Sequence, residues 1–294
     1  MKREVDVLVC MLKTEIRKAF QNRGFYVALL VGSLLCLWDI VLNYKLSEEL
    51  LITRNVTMTL SNGMEWNTAN QVDTSVYYNW LGVSSMDLNG IIFYFIFPIL
   101  ATMPYGWGAL SERRNGYRNQ LLIRAPRKSV IAGKYVAAFL SGGVAVTVPV
   151  ITDFLLSAMV MPATAPIVTD GVATIDETQF GSLLFFRHHI LFVLADMGLI
   201  FLWGGVLSGL SLATGQIIRR KIATVMFPFC LCIFVDLIFE IGILKTLVEW
   251  SPIRLFHMVT IRGTSGTVVL GEIFFCFLAS VVIFGMGEMR DEGV

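Results

Sequence analysis

Apolar residues in this chain gather into six long blocks, 25–42, 90–110, 130–161, 183–215, 223–244 and 268–287, separated by polar stretches. A helix needs about 20 mostly apolar residues to cross a hydrocarbon core about 30 Å thick. Each block therefore predicts one membrane-spanning helix. The third and fourth are longer than one crossing needs, which predicts tilt, a kink or projection beyond the bilayer. Pro98 and Pro104 in the second block, Pro149 in the third and Pro228 in the fifth mark places where a helix ladder bends or breaks. Before the first block, residues 4–23 place Val5, Leu8, Leu12, Ile16 and Ala19 on one helical stripe, with Lys13, Arg17 and Lys18 facing elsewhere. That pattern predicts an amphipathic helix on the membrane surface, its stripe in the acyl boundary and its cations among headgroups. An ordinary helix packed on a partner is the other reading.

Composition agrees with the blocks. The chain has 294 residues, 55% of them hydrophobic and only 15% charged, with a mean hydropathy of +0.70. A soluble domain carries about 25% charged residues, so a membrane protein is expected, with the lipid bilayer as its surroundings. The net charge of +1 hides a segregated distribution. Of the 23 Lys and Arg, 17 fall in four regions: six before the first block, seven in 111–136, three at Arg219, Arg220 and Lys221, and one at Arg290. With six crossings those regions share one side, which the positive-inside rule makes the cytoplasm. Both termini are then cytoplasmic, in a multi-pass protein of a cell membrane, bacterial inner or plasma. The first block follows a basic leader with no clean cleavage site, so it is expected to be retained. No separate basic domain supports nucleic-acid binding. The five cysteines lie in or beside apolar segments and read as packing residues.

The stretch 111–136 interrupts the apolar pattern with seven basic residues and one acid. It is too short to fold as a domain. Leu121, Leu122 and Ile123 form an apolar knot in it, and Pro126 is placed to end one helix before the next begins. A short helix with greasy residues among arginines fits docking into a protein groove; anchoring at the inner leaflet fits equally well. Here the pattern Glu112, Gly116, Leu121-Leu122, Pro126, Arg127 and Lys134 resembles the "E…G…LL…P-(S/R)-R…K" signature between the second and third spans of ABC type-2 exporter permeases. Six spans, an amphipathic N-terminal elbow and cytoplasmic termini are similar to that family as well. The resemblance implies an all-α integral membrane protein forming a single transmembrane domain over 1–294. It would have an elbow helix at 4–23, six spans, a short cytoplasmic coupling helix at 111–129, and extracellular caps at 43–89 and 245–267. It also implies that the coupling helix seats in a cleft of a separate ABC ATPase subunit, that two permease subunits pair as a homo- or heterodimer, and that ATP and Mg are bound by the ATPase partner. Arg118 and Asn119 after the glycine depart from many relatives.

This chain has no phosphate-cradling loop of its own: its one Gly-Lys pair, Gly133-Lys134, is followed by Tyr135 and lacks the upstream glycine of GxxxxGK[ST]. No catalytic residue, metal ligand set or cofactor is expected in it. Ionisable residues at membrane depth count as candidates for function. Asp196 and Trp203 recur with His189 at seven-residue spacing on one helix face, and Asp236 and Glu240 stand four apart on another, where two carboxylates repel unless one is protonated or a cation such as Arg187 or Lys245 intervenes. These four residues are the candidate path for an amphipathic substrate; outer-end carboxylates reaching interfacial water are the plain alternative. Gly198, Gly204, Gly205 and Gly209 allow close helix approach and suit a dimer seam. The expectation is thus a permease subunit exporting a peptide, drug or lipid-like molecule. The rivals are a proton-coupled secondary transporter using Asp236 and Glu240 and, less well supported, an intramembrane enzyme, for which no nucleophile accompanies His189 and Asp196.

Overall fold

A chain segment in hydrocarbon has no water to satisfy its backbone, so long apolar runs must bond internally as helices. The computed structural model, which describes residues 2–53, 57–59, 65–67, 75–83, 88–166, 175, 179–218, 220–240, 250–259 and 265–290, is built accordingly. Its elements in chain order are α1 (Lys2–Phe20), α2 (Arg23–Thr53), β1 (Thr57–Thr59), β2 (Glu65–Asn67), α3 (Leu88–Thr102), α4 (Gly108–Arg114), α5 (Tyr117–Arg124), α6 (Arg127–Val160), α7 (Ser182–Arg187), α8 (His189–Thr214), α9 (Lys221–Glu240) and α10 (Gly266–Arg290). The two strands form an antiparallel pair with Met58 opposite Trp66. Five helices, α2, α6, α8, α9 and α10, are long and apolar enough to cross a membrane. Their outer faces are apolar too, with Leu30, Leu34, Phe234, Phe274 and Phe275 exposed. This is the architecture of a multi-pass membrane protein.

The second apolar block behaves differently from the expected single helix over 90–110. At 15 residues, α3 spans about 22 Å at 1.5 Å per residue, less than the hydrocarbon thickness. It ends at Thr102 because Pro104 has no N–H and disfavours helix at Met103. The turn 103–107 then presses Gly106 against α8, where a Cβ would lie 2.6 Å from the Thr102 carbonyl and collide with the Ser211 side chain. The fourth block also divides, at His188, into α7 and α8. The stretch 111–129 is two helices, α4 and α5, joined through Gly116, whose φ of 68° is left-handed. Nothing crowds Gly116, so its glycine serves backbone conformation alone. Pro126 precedes α6 as expected for a helix start. Of the expected caps, 43–89 begins as a continuation of α2 to Thr53, and 245–267 contains a 3₁₀ turn at Pro252–Leu255; Lys245 lies outside the described residues.

Hydrogen bonds at both ends order the helices. At one pole the Asn22 side chain donates to the Pro104 carbonyl (2.5 Å) and Gln216 donates to Glu288 (2.9 Å). At the other, Asn43 and Asn89 both donate to Asp39. Thus α2 and α3 run antiparallel, and the N-terminal helix and the end of α10 belong to the same, basic pole. The core is the α6–α8 seam. Gly142 and Gly204 meet there so closely that a Cβ on either would come within 3.0 Å of the other's carbonyl oxygen. Gly205 and Gly209 likewise abut Phe139 and Tyr135 of α6. The glycine stripe read as a dimer seam is occupied within the chain, apart from Gly198, which has open space beside it.

Candidate coupling site

The charged interruption is bound to the rest of the basic pole by a relay of charges. Glu112 of α4 accepts from Lys134 of α6 and from Lys18 of α1 (3.1 Å), and Lys18 also reaches Glu15 (3.1 Å). Glu15 has no exposed surface and accepts the Tyr105 hydroxyl proton from the turn after α3. Lys134 is 1% exposed. Buried charges persist only when paired and hydrogen-bonded; here Glu112 pairs with Lys18 and Lys134 on two other elements, and Glu15 pairs with Lys18 within α1 and accepts from Tyr105. Burial alone would lower the Lys18 ammonium's pKa; the Glu15 and Glu112 carboxylates outweigh it and hold the pKa above the usual lysine value. Lys18 also stands 4.2 Å from the centre of the Tyr117 ring. Glu112 and Lys134, 22 residues apart in sequence, are therefore partners, and they tie α1, α4 and α6 together.

Around that relay, α5 has two unlike faces. Leu121 is buried with Ala125 and Val130, and Val7, Met11 and Leu122 pack against them. On the other side of the helix, Ile123 is 86% exposed. Pro126 is exposed and Arg127 half-buried at the start of α6. The resemblance puts Leu121 and Leu122 in the coupling helix, beside Ile123 in one apolar knot. Leu121 faces the chain's own N-terminal helix, and the outward apolar residue is Ile123. The helical period carried that signal: Leu121 and Ala125 are one turn apart, while Ile123 sits opposite. The stripe of α1 is likewise partly consumed inside the molecule, with Ala19 and Ile16 in the cluster of Tyr105, Tyr135, Ala137, Ala138 and Leu212.

At the opposite pole the candidate path residues hold loops. Asp196 is fully buried and accepts the Met258 backbone N–H (2.6 Å), and Asp153 of α6 accepts that of Leu81 (2.8 Å). The segments they pin, 75–83 and 250–259, sink into the helix bundle: Trp80, Leu81 and Phe256 have no exposed surface. Trp203, 1% exposed, packs edge-on against Phe256, which stacks on Phe97. Asp236 accepts from Ser251 (2.5 Å) and from Arg254 Nε (3.1 Å), and Arg254 Nη2 lies 3.6 Å from Glu240. The intervening cation is Arg254, where sequence suggested Arg187 or Lys245. Asp196 and Asp236 thus hold two ends of one loop. In that loop His257 sits 4.3 Å from the Tyr94 ring, and burial pushes its imidazole pKa down to about 4. Among the described residues no cluster of three His, Cys, Asp or Glu is placed to hold a metal ion, and the cysteines are free. The chain matches no protein-family model and no curated protein in sequence.

Proposed function

We propose that this chain is the membrane-spanning permease subunit of an ATP-driven ABC exporter, with α3 completing a sixth crossing and both termini at the cytoplasmic face. The observation that carries this reading is the α4–α5 unit: it is braced from below by α1 and α6 and presents Ile123 outward. A docking element must be stiff toward the membrane and greasy toward its partner. Here two ion pairs to Glu112 supply stiffness, and exposed Ile123 and Tyr117 supply contact. A push on α5 passes through Leu121 to α1 and through Glu112 to Lys134, so it reaches α6 and the α6–α8 seam. A separate ATPase provides the push, since the chain lacks a phosphate-binding loop. The exported substrate is amphipathic, and a second permease subunit completes the assembly.

The secondary-transporter reading needs Asp236 and Glu240 free to titrate. Arg254 and Ser251 already engage Asp236, which favours a loop-holding role. Affinity purification of the tagged chain from mild detergent tests the exporter reading. An ATP-hydrolysing subunit is expected with the unaltered chain and is expected to be lost with Ile123→Asp. Retention of that subunit by Ile123→Asp, or its absence throughout, overturns the reading.

A further inference from the structure

At the basic pole, between the end of α3 and the start of α9, an apolar groove of about 360 Å³ opens on the side of the bundle. Ile99, Met103 and Trp107 form one wall and Ile222, Val225 and Met226 the other, with Lys221 at the rim. The groove lies where α3 stops at Thr102: Met103 and Trp107 of the following turn line it on one side, and Ile222, Val225 and Met226 of α9 on the other.

The cations beside it differ from Lys18 and Lys134 of the candidate coupling site and from Arg254 at the opposite pole. Lys18, Lys134 and Arg254 each have a carboxylate partner. Lys221 and Arg220 are exposed and make no ion pair among the described residues. Ile222 is 80% exposed and Ile217 74%, so bare apolar surface and unmatched positive charge stand together where a membrane-spanning helix begins. Basic pockets between spanning helices take anionic headgroups, and an apolar slot below the cation takes the acyl chain, each buried CH₂ adding to the attraction.

We propose that this groove is a binding site for an anionic phospholipid, its phosphate at Lys221 and Arg220 and one acyl chain between α3 and α9. The occupant is a lipid because the slot is apolar along its length and only its rim is charged. A free anion has no use for the slot, and a zwitterionic lipid brings a choline cation that offsets its phosphate beside Lys221 and Arg220. Occupancy fills the gap next to the α3 break and so stiffens α9 against α3.

The purified full-length chain in mild detergent, titrated with dioleoyl phosphatidylglycerol or dioleoyl phosphatidylcholine and observed by native mass spectrometry, tests the site. Phosphatidylglycerol is expected to bind at least about tenfold tighter than phosphatidylcholine. Lys221→Gln is expected to weaken phosphatidylglycerol about fivefold and phosphatidylcholine by less, as removal of one interfacial charge predicts. Met226→Trp, which fills the slot, is expected to weaken both lipids, and equimolar inorganic phosphate to displace neither. Equal binding of the two lipids overturns the proposal, as does a Lys221→Gln chain that keeps full phosphatidylglycerol affinity. Displacement by inorganic phosphate would mark a free-anion site and overturn it as well. Lys221 is exposed, so its substitution leaves the fold intact, and no ATPase is needed.

Discussion

The buried charges of the basic pole show how single residues decide the architecture. Lys134 sits at a depth where an unpaired ammonium is costly, and Glu112 is its counter-ion. Removing one member of such a pair strands the other. Glu112→Gln, which strands Lys134, is therefore expected to destabilise the folded chain by about 3 kcal/mol, read as a lowered melting temperature in detergent. The double variant with Lys134→Met is expected to lose less than the two single losses combined, since the pair leaves together. At the other pole, His257 supplies a pH test. Its imidazole is buried neutral with a pKa near 4, against the ordinary 6.5. Below pH 6.5 the unfolded chain binds the proton and the folded chain does not, so stability is complete above pH 6.5 and falls as pH drops toward 4. Between pH 7.5 and 5 the loss is about 2 kcal/mol. His257→Phe keeps the ring on Tyr94 and is expected to flatten that part of the pH–melting curve; an unchanged slope would assign it to another group.

Elements were legible in the sequence wherever hydrophobic length alone sets them. The blocks at 130–161, 223–244 and 268–287 became α6, α9 and α10 with small shifts at their ends, because twenty apolar residues leave the backbone little choice. What could not be read from local pattern was set by tertiary contact. Pro98 stays inside α3, yet the chain turns before Pro104, where Gly106 must fit against Ser211. The helical period puts Leu121 and Ile123 on opposite faces of α5, but which face lies inward is decided by α1 packed against it. Arg254 lies in a loop with no periodicity, so nothing local foretold that it would sit between Asp236 and Glu240. The glycines of α8 were recognised as a close-packing surface, but sequence held no sign that α6 would occupy it. Gly204→Leu drives a side chain into Val146 and the Gly142 carbonyl. It is expected to abolish the monodisperse folded species in size-exclusion chromatography, whereas Gly198→Leu, with open space beside it, is expected to be tolerated.

At the scale of the whole molecule, the two poles have different chemistry. One is a relay of ion pairs linking α1, α4 and α6 beneath an outward apolar residue. The other is a plug of buried aromatic loops pinned by Asp153, Asp196 and Asp236. The proposed exporter, driven from one side and sealed at the other, requires such a polarity, with the α6–α8 seam between the ends. The proposed function requires the α4–α5 unit to face the cytoplasm and to be covered by an ATPase. Labelling a single cysteine measures both at once. In a chain whose five native cysteines are replaced, Ile123→Cys is exposed to a membrane-impermeant maleimide in intact cells and in inside-out vesicles. The account predicts reaction only in inside-out vesicles, with protection when an ATPase subunit is bound and return of labelling after that subunit is stripped away. Reaction from the outside of intact cells, or labelling in vesicles that no bound ATPase diminishes, would contradict it.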